Sequence, residues 1–451
     1  MKKIFINIIL ILIIGSINSI RAQWVLQNSS SQNYNFRDVF TLDQNAAFAL
    51  GYDYTSDETI VLKTTNGGEN WISISVDSIE YHSYSSFYFI NDSIGWIAGG
   101  CPDLWSDADF GLIEKTTDAG ESWAIDTIGR GALNSVVFVD ENTGWAAGID
   151  VQYGPVGCLY KTTNAGMNWD LIYGGGGWYG SGPLWSVCFV DTNIGWIISL
   201  GYNYGQTRLL KTSDGGMNWV AQLDTGFYSL KSVFFTNESV GWAIGAKWNG
   251  LPDQGVIFGT TDGGENWIIQ LAGVTNKLND VNFIDENVGW TVGSGGIILH
   301  TTDAGINWIS QSSGTTNDLY SVHFANENVG WAVGDSGIIL KTTNGGVTNL
   351  ADNNSVKPTD FLLYQNYPNP FNPITNISYT LPSESQIKLS VYNLLGELVE
   401  TIVNKNQVAG KYDTAWNAGN HPSGVYIYTL DAVSVNGSMQ TKISKKMILM
   451  K

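Results

Sequence analysis

Four short apolar runs separated by polar turns return in the same order seven times before residue 350. The sixth copy shows them cleanly at 281–283, 289–292, 297–300 and 308–311, named strands A to D. Strand B opens on Gly-Trp in six copies: Gly95-Trp96, Gly144-Trp145, Gly195-Trp196, Gly241-Trp242, Gly289-Trp290 and Gly330-Trp331; Ala47-Phe48 is the variant in the first. Strand C ends in a box such as Lys63-Thr64-Thr65-Asn66-Gly67-Gly68, with Trp71 three residues on. The box returns at 115–123, 161–169, 211–219, 259–267 and 300–308, and without its Trp at 341–346. A period of roughly 40–50 residues carrying four strands predicts one propeller blade per repeat.

The seventh box has no strand D behind it, because 347–350 run into a polar segment. Trp24-Val25-Leu26-Gln27 reads as a strand D with no box before it. The N-terminal strand is therefore expected to complete the last blade and remove an open sheet edge. The expected fold is all-β: a seven-bladed β-propeller followed by a small antiparallel β-sandwich.

The ends of the chain divide it further. Lys2 and Lys3, an apolar run at 4–14 and Ala22 read as a signal peptide over 1–22. The propeller is expected over 23–349 and a polar linker over 350–362. The sandwich is expected over 363–451, with alternating strands at 375–381, 387–392, 398–403, 411–417, 424–430 and 439–450. No other run reaches spanning length, so no transmembrane segment is expected in the mature chain.

The formal charge of −19 is uneven. Residues 23–350 hold 34 Asp and Glu against 11 Lys and Arg, a net of −23. An acidic disc repels nucleic acid, which is bound through phosphate neutralisation, so no nucleic-acid partner is expected. Of three cysteines, Cys188 reads as a small core residue, and Cys101 and Cys158 stand in neighbouring repeats where they either pair or stay free. No cysteine metal pattern, phosphate loop or nucleophile motif stands out, and the four histidines do not cluster. Neither a metal nor a cofactor is expected.

The tail carries Asn366-Tyr367-Pro368-Asn369-Pro370-Phe371-Asn372-Pro373, Val391-Tyr392-Asn393-Leu394-Leu395-Gly396, Ser423-Gly424-Val425-Tyr426 and a basic end at 442–446. These motifs resemble the type A C-terminal sorting domain of the type IX secretion system. The resemblance implies passage through the periplasm to the outer surface or medium, with the secretion machinery as partner of the tail. The boxes resemble the Asp-box (BNR) repeat, and with Gly-Trp ahead of each box the propeller resembles photosystem II stability/assembly factor-like proteins. That resemblance implies a protein ligand.

The recurring box acid invites a catalytic reading. Asp118, Asp214, Asp262 and Asp303 hold it in four copies, but Asn66, Asn164 and Asn344 stand there in three. An amide accepts a turn hydrogen bond as Asp does and is no general acid, so the boxes are expected to be structural.

Strand order puts the boxes and A–B turns on one face, and the B–C loops and D–A crossovers on the other. Every long insertion falls on the second face. Its loops hold Tyr52, Tyr54, Trp105, Asp107, Asp109, Phe110, Tyr153, Tyr202, Tyr204 and Trp248; its crossovers hold Tyr81, Tyr84, Trp178, Tyr179, Phe227 and Tyr228. Aromatic loops on a rigid scaffold suit binding. A second candidate is the column just before strand A: Arg37, Ser85, Asn134, Trp185, Lys231, Asn279 and Tyr320. It varies while its neighbours stay uniform, and strand order places it at the mouth of the central channel. The ligand-binding candidates are therefore Arg37, Asn134, Trp185, Lys231, Asn279 and Tyr320 at the mouth, with Trp105, Trp178 and Trp248 on the loops.

Two function classes remain. One is a secreted or surface-attached, non-catalytic propeller that binds a protein or a glycan. The other is an extracellular glycoside hydrolase of the Asp-box type, for which Asp103, Asp107 and Asp109 beside Trp105 imitate half of a two-carboxylate site. A sialidase fits poorly, because 23–350 hold only Arg37, Arg130 and Arg208 and show no Tyr-Glu pair.

Overall fold

The computed structural model describes residues 24–27, 34–53, 56, 58–74, 83–100, 110–151, 156–174, 182–201, 207–224, 226, 228–247, 254–346, 361–366, 369–435 and 440–451. They form two compact units that divide at residue 350.

In the first unit every repeat forms a four-stranded antiparallel blade in the order A-B-C-D; a single bridge, Ala132 to Gly100, links the second blade to the third. In blade 6 the strands are Leu278–Phe283, Gly289–Gly293, Ile298–Thr301 and Ile309–Gln311. Blade 7 takes Leu319–Phe324, Gly330–Gly334 and Ile339–Thr342 from the end of the array, and Val25–Leu26 from the start of the chain. Val25 pairs with Lys341 and Leu26 with Leu340, which closes the ring.

The Gly-Trp phrase glues neighbouring blades. Strand A ends in Phe in six blades, and that ring lies over the glycine of its own blade. A Cβ at Gly144 would stand 2.6 Å from Phe138, and the other five glycines are as crowded. The Phe ring then stacks on the Trp of the blade before. Trp96 meets Phe138 at 3.5 Å, Trp145 meets Phe189 at 3.6 Å, and Trp196, Trp242 and Trp290 meet Phe235, Phe283 and Phe324 at 3.4 Å. The box Trp presents its edge to the same Phe, as Trp308 does to Phe283. Blade 1 ends strand A in Thr41, so Ala47 is tolerated where the others need glycine. Trp24 supplies the edge contact to Phe324 and donates its indole N–H to Gln311 Oε1 at 2.9 Å.

The boxes build the opposite face. In each, the Thr hydroxyl donates to the Asp or Asn side-chain oxygen and accepts the N–H of the glycine four residues on; Thr64 bonds Asn66 at 3.0 Å and Thr116 bonds Asp118 at 2.8 Å. The side-chain oxygen also accepts a backbone N–H four residues on in six of the boxes, from Asn70 to Asn66 and from Ser122 to Asp118. The N–H of the left-handed residue after it donates to the A–B turn of the same blade, as Gly67 does to Asn45 and Ala304 to Asn287. Box and A–B turn therefore share a face. The first box residue reaches the next blade: Lys63 donates to Ala119 O, Lys115 to Ala165 O, Lys161 to Gly215 O and Lys341 to Gly67 O across the seam. Blades 5 and 6 begin the box with Gly259 and His300, and there Gln270 and Gln311 make the same bond from strand D.

The second unit is a sandwich of two sheets. Leu362–Leu363, Ile374–Leu381 and Gly410–Asn417 form one; Leu398–Gln407, Ser385–Tyr392, Gly424–Ser434 and Gln440–Leu449 form the other in that order. Their inner faces enclose Phe371, Ile377, Leu389, Trp416, Tyr428, Leu430 and Met447. The strand at 362–363 is an addition to the sequence expectation; five of the other six run one to four residues longer than expected, and the last is two residues shorter.

Candidate functional site

Each strand A carries one β-bulge, between Phe36 and Asp38 in blade 1 and between Leu319 and Ser321 in blade 7. The residue skipped by the register is Arg37, Ser85, Asn134, Trp185, Lys231, Asn279 or Tyr320, so the variable column is the column of bulged residues. A bulge re-aims a side chain and leaves it outside the ladder. All seven line one cavity of about 440 Å³.

A second tier lies beneath them: Asp38, Ser86, Ser135, Ser186, Ser232, Asp280 and Ser321, lining the same cavity. Each bulge frees a backbone N–H, and these side chains take it up. Ser86 accepts from Val136 N, Ser135 from Val187 N, Ser186 from Val233 N, Asp280 from Val322 N, Ser321 from Val39 N and Asp38 from Phe87 N. Every one of these bonds crosses to the next blade. Ser232 instead donates to Asp280, and Ser321 donates to Asp38 at 2.7 Å. This belt was missed in the sequence, although a column of five Ser and two Asp beside the variable one was a legible signal.

Burial sets the charges of the cup. Asp38 is pushed up to about 7 by burial, against the hydrogen bonds from Phe87, Ser321 and Val39. Asp280 is raised for the same reason. Burial also lowers Arg37 and Lys231 from their usual range. Lys231 Nζ stands 4.2 Å from the Trp185 ring, which is 37% exposed. Tyr320 donates to Asp335 at 3.0 Å, and burial with that carboxylate pushes the phenol up to about 12. Asn134 and Asn279 donate to Leu184 O and Leu319 O, both at 2.7 Å, so the two amides also tie blades together. Among the described residues no group of three His, Cys, Asp or Glu side chains could hold a metal ion.

The loop candidates divide differently. Trp105, Trp178 and Trp248 lie outside the described residues, as do Asp103, Asp107, Asp109 and Cys101. Tyr84 is buried with its hydroxyl on Glu114, Tyr52 is buried, and Tyr228 sets its edge on Phe258. These rings pack the scaffold rather than rise from it. Cys158 is a free, buried thiol, and Cys188 is a free thiol packed at the edge of a blade core. A broader polar groove of about 700 Å³ on blade 6 is lined by Asn276, Gly295, Gly296, Ser310 and Thr315 among others, with no aromatic or charged side chain among its described lining residues.

Residues 268–350 match the photosynthesis system II assembly factor YCF48 family, and residues 365–450 match the secretion system C-terminal sorting domain. The end of the propeller is thus similar to the YCF48 family, and the second unit to the type IX sorting domain. The sorting domain marks the protein for export and places it outside the cell, secreted or on the surface. The YCF48-like fold is seen again in solved structures. A YCF48 bound to D1 peptide is 19% identical with a TM-score of 0.53, covering 71% of this chain and 94% of that one. YCF48 from Cyanidioschyzon merolae is 19% identical with a TM-score of 0.52, covering 71% and 98%. A GH74 xyloglucanase from Xanthomonas campestris is 10% identical with a TM-score of 0.54, covering 93% and 68%. At these identities the likeness is one of fold. No curated relative matches the chain in sequence.

Proposed function

We propose that the exported protein is a non-catalytic binding propeller that takes a protein ligand at the cup, on the face of the B–C loops and D–A crossovers. One observation carries this reading: seven identical bulges aim six residue types into one cavity above a uniform hydrogen-bonded belt. A framework repeated seven times with a changing side chain at one position is the economy of a recognition surface. The belt carboxylates argue against hydrolysis, since Asp38 and Asp280 each accept three hydrogen bonds from Ser hydroxyls and backbone N–H groups, and the third carboxylate of the cup, Asp335, accepts the Tyr320 hydroxyl. Carboxylates so engaged are poorly placed to protonate a leaving group. A fold neighbour holding a peptide favours a protein over a glycan. The box Asp and Asn side chains belong, in this reading, to the framework.

The test is a pull-down and a glycan array with the full chain, repeated with Trp185→Ala and Lys231→Ala. Loss of about thirtyfold in affinity at the cup is expected, with Glu69→Ala and Glu265→Ala on the box face unchanged. A ligand indifferent to the cup variants sinks the assignment, and glycan capture without a protein partner replaces the ligand class.

A further inference from the structure

We propose that the turn Asn393–Glu397 of the sorting domain is its docking element, and that Leu394 and Leu395 enter an apolar pocket of the export machinery. The turn joins the strands Ser385–Tyr392 and Leu398–Gln407. Its frame is polar and fixed. Asn393 Oδ1 accepts the N–H groups of Leu395 and Glu397 at 3.0 Å, and Asn393 Nδ2 donates to Glu397 Oε2 at 2.7 Å. Asn393 N donates to Glu397 O, and Gly396 N to Asn393 O. Gly396 sits at φ 81°, with open space around it, so glycine serves the backbone there and not a neighbour.

The two leucine side chains contribute nothing to that frame. Leu394 is 68% exposed and Leu395 84%, the most exposed large apolar side chain among the described residues. Turn centres favour Gly, Asn, Asp and Ser, and a pair of leucines there leaves apolar surface in water. A rigid turn holding two bare leucines is an anchor whose ordering cost is met before binding. Leu398 and Met450 extend the apolar end of the same sheet, because Tyr392 pairs with Leu398 and Ile427, and Gly424 pairs with Leu449. The partner is the machinery because this domain is the part of the chain that addresses it, and the pocket is apolar because the anchor is.

The experiment uses the full chain in a bacterium with type IX machinery, measuring the extracellular and periplasmic fractions and the melting temperature of each purified variant. Leu394→Asn with Leu395→Asp is expected to lower the extracellular fraction by about tenfold or more, with the chain held in the periplasm and its melting temperature unchanged. Leu394→Met with Leu395→Met should export normally. Val408→Asn with Val435→Asn tests two other exposed apolar side chains, at the opposite end of the sheet, and should also export normally. Normal export of the Asn/Asp pair overturns the proposal. So does an equal loss with either control pair, or a loss that tracks a lowered melting temperature.

Discussion

The two faces of the propeller are made by the same seven repeats and handle the same residue type in opposite ways. On the box face, Asp118 and Asp214 stand in solvent and are held down to about 2 by hydrogen bonds, chiefly from the Ser122 and Asn218 side chains. In the cup, Asp38 is enclosed and burial pushes it up to about 7. A box carboxylate is replaceable by Asn, and three copies carry one; the belt carboxylates of the cup, Asp38 and Asp280, stand in blades 1 and 6, where the other blades have Ser. Repetition alone does not mark function. At the box it repeats a fold requirement, and at the bulge it repeats a position while the residue type varies.

The largest effect expected lies in the framework. Trp24 is almost wholly buried, sets its edge on Phe324 and bonds Gln311, so it completes the blade that closes the ring. Trp24→Ala should cost about 3–5 kcal/mol in chemical denaturation. Trp185→Ala and Lys231→Ala in the cup should stay within about 0.5 kcal/mol, as surface changes do. Equal costs at the two places would break the division between framework and cup.

The cup carboxylate gives a smaller effect with a definite sign. Asp38 has a folded value of about 7 against an ordinary 3.8, so between those pH values the folded chain binds a proton that the unfolded chain has released. Stability contributed by this group is then fully present below about pH 4 and is lost as pH rises towards 7. Asp38→Asn should flatten that slope in melts taken from pH 4 to 7. A variant that keeps the slope would place the titration elsewhere.

Much of this fold was legible because its contacts recur at a fixed period. Gly-Trp and the box announce the blade, and the orphan strand at 24–27 announces the closure. The variable column was legible for the same reason, since variation shows only against a uniform background. What it does was not. A bulge depends on register with strand B, and nothing in Arg37 or Tyr320 by itself tells that the ladder skips it. The inward turn of Tyr84 was equally hidden, because it depends on Glu114 standing on strand C, where the other blades have Leu, Tyr or Phe. The loop tryptophans were legible as aromatic loops, and loops carry no period from which a position can be read.

The smallest expected effect sharpens the comparison most. Asp118→Asn and Asp214→Asn should be nearly neutral at pH 7, with a melting temperature like the parent's. An amide oxygen can accept the same bonds from the Thr hydroxyl and the backbone N–H, as Asn66 and Asn164 do in their own blades. The difference should appear only in acid. The folded carboxylates titrate near 2 against an ordinary 3.8, so their contribution is present above about pH 4 and is lost as pH falls towards 2. Asn has no proton to gain, so the double variant should lose less stability than the parent between pH 4 and 2, the reverse of the limb that Asp38 controls. Ligand binding lost in a folded Asp118→Asn chain at pH 7 would move the functional face from the cup to the boxes.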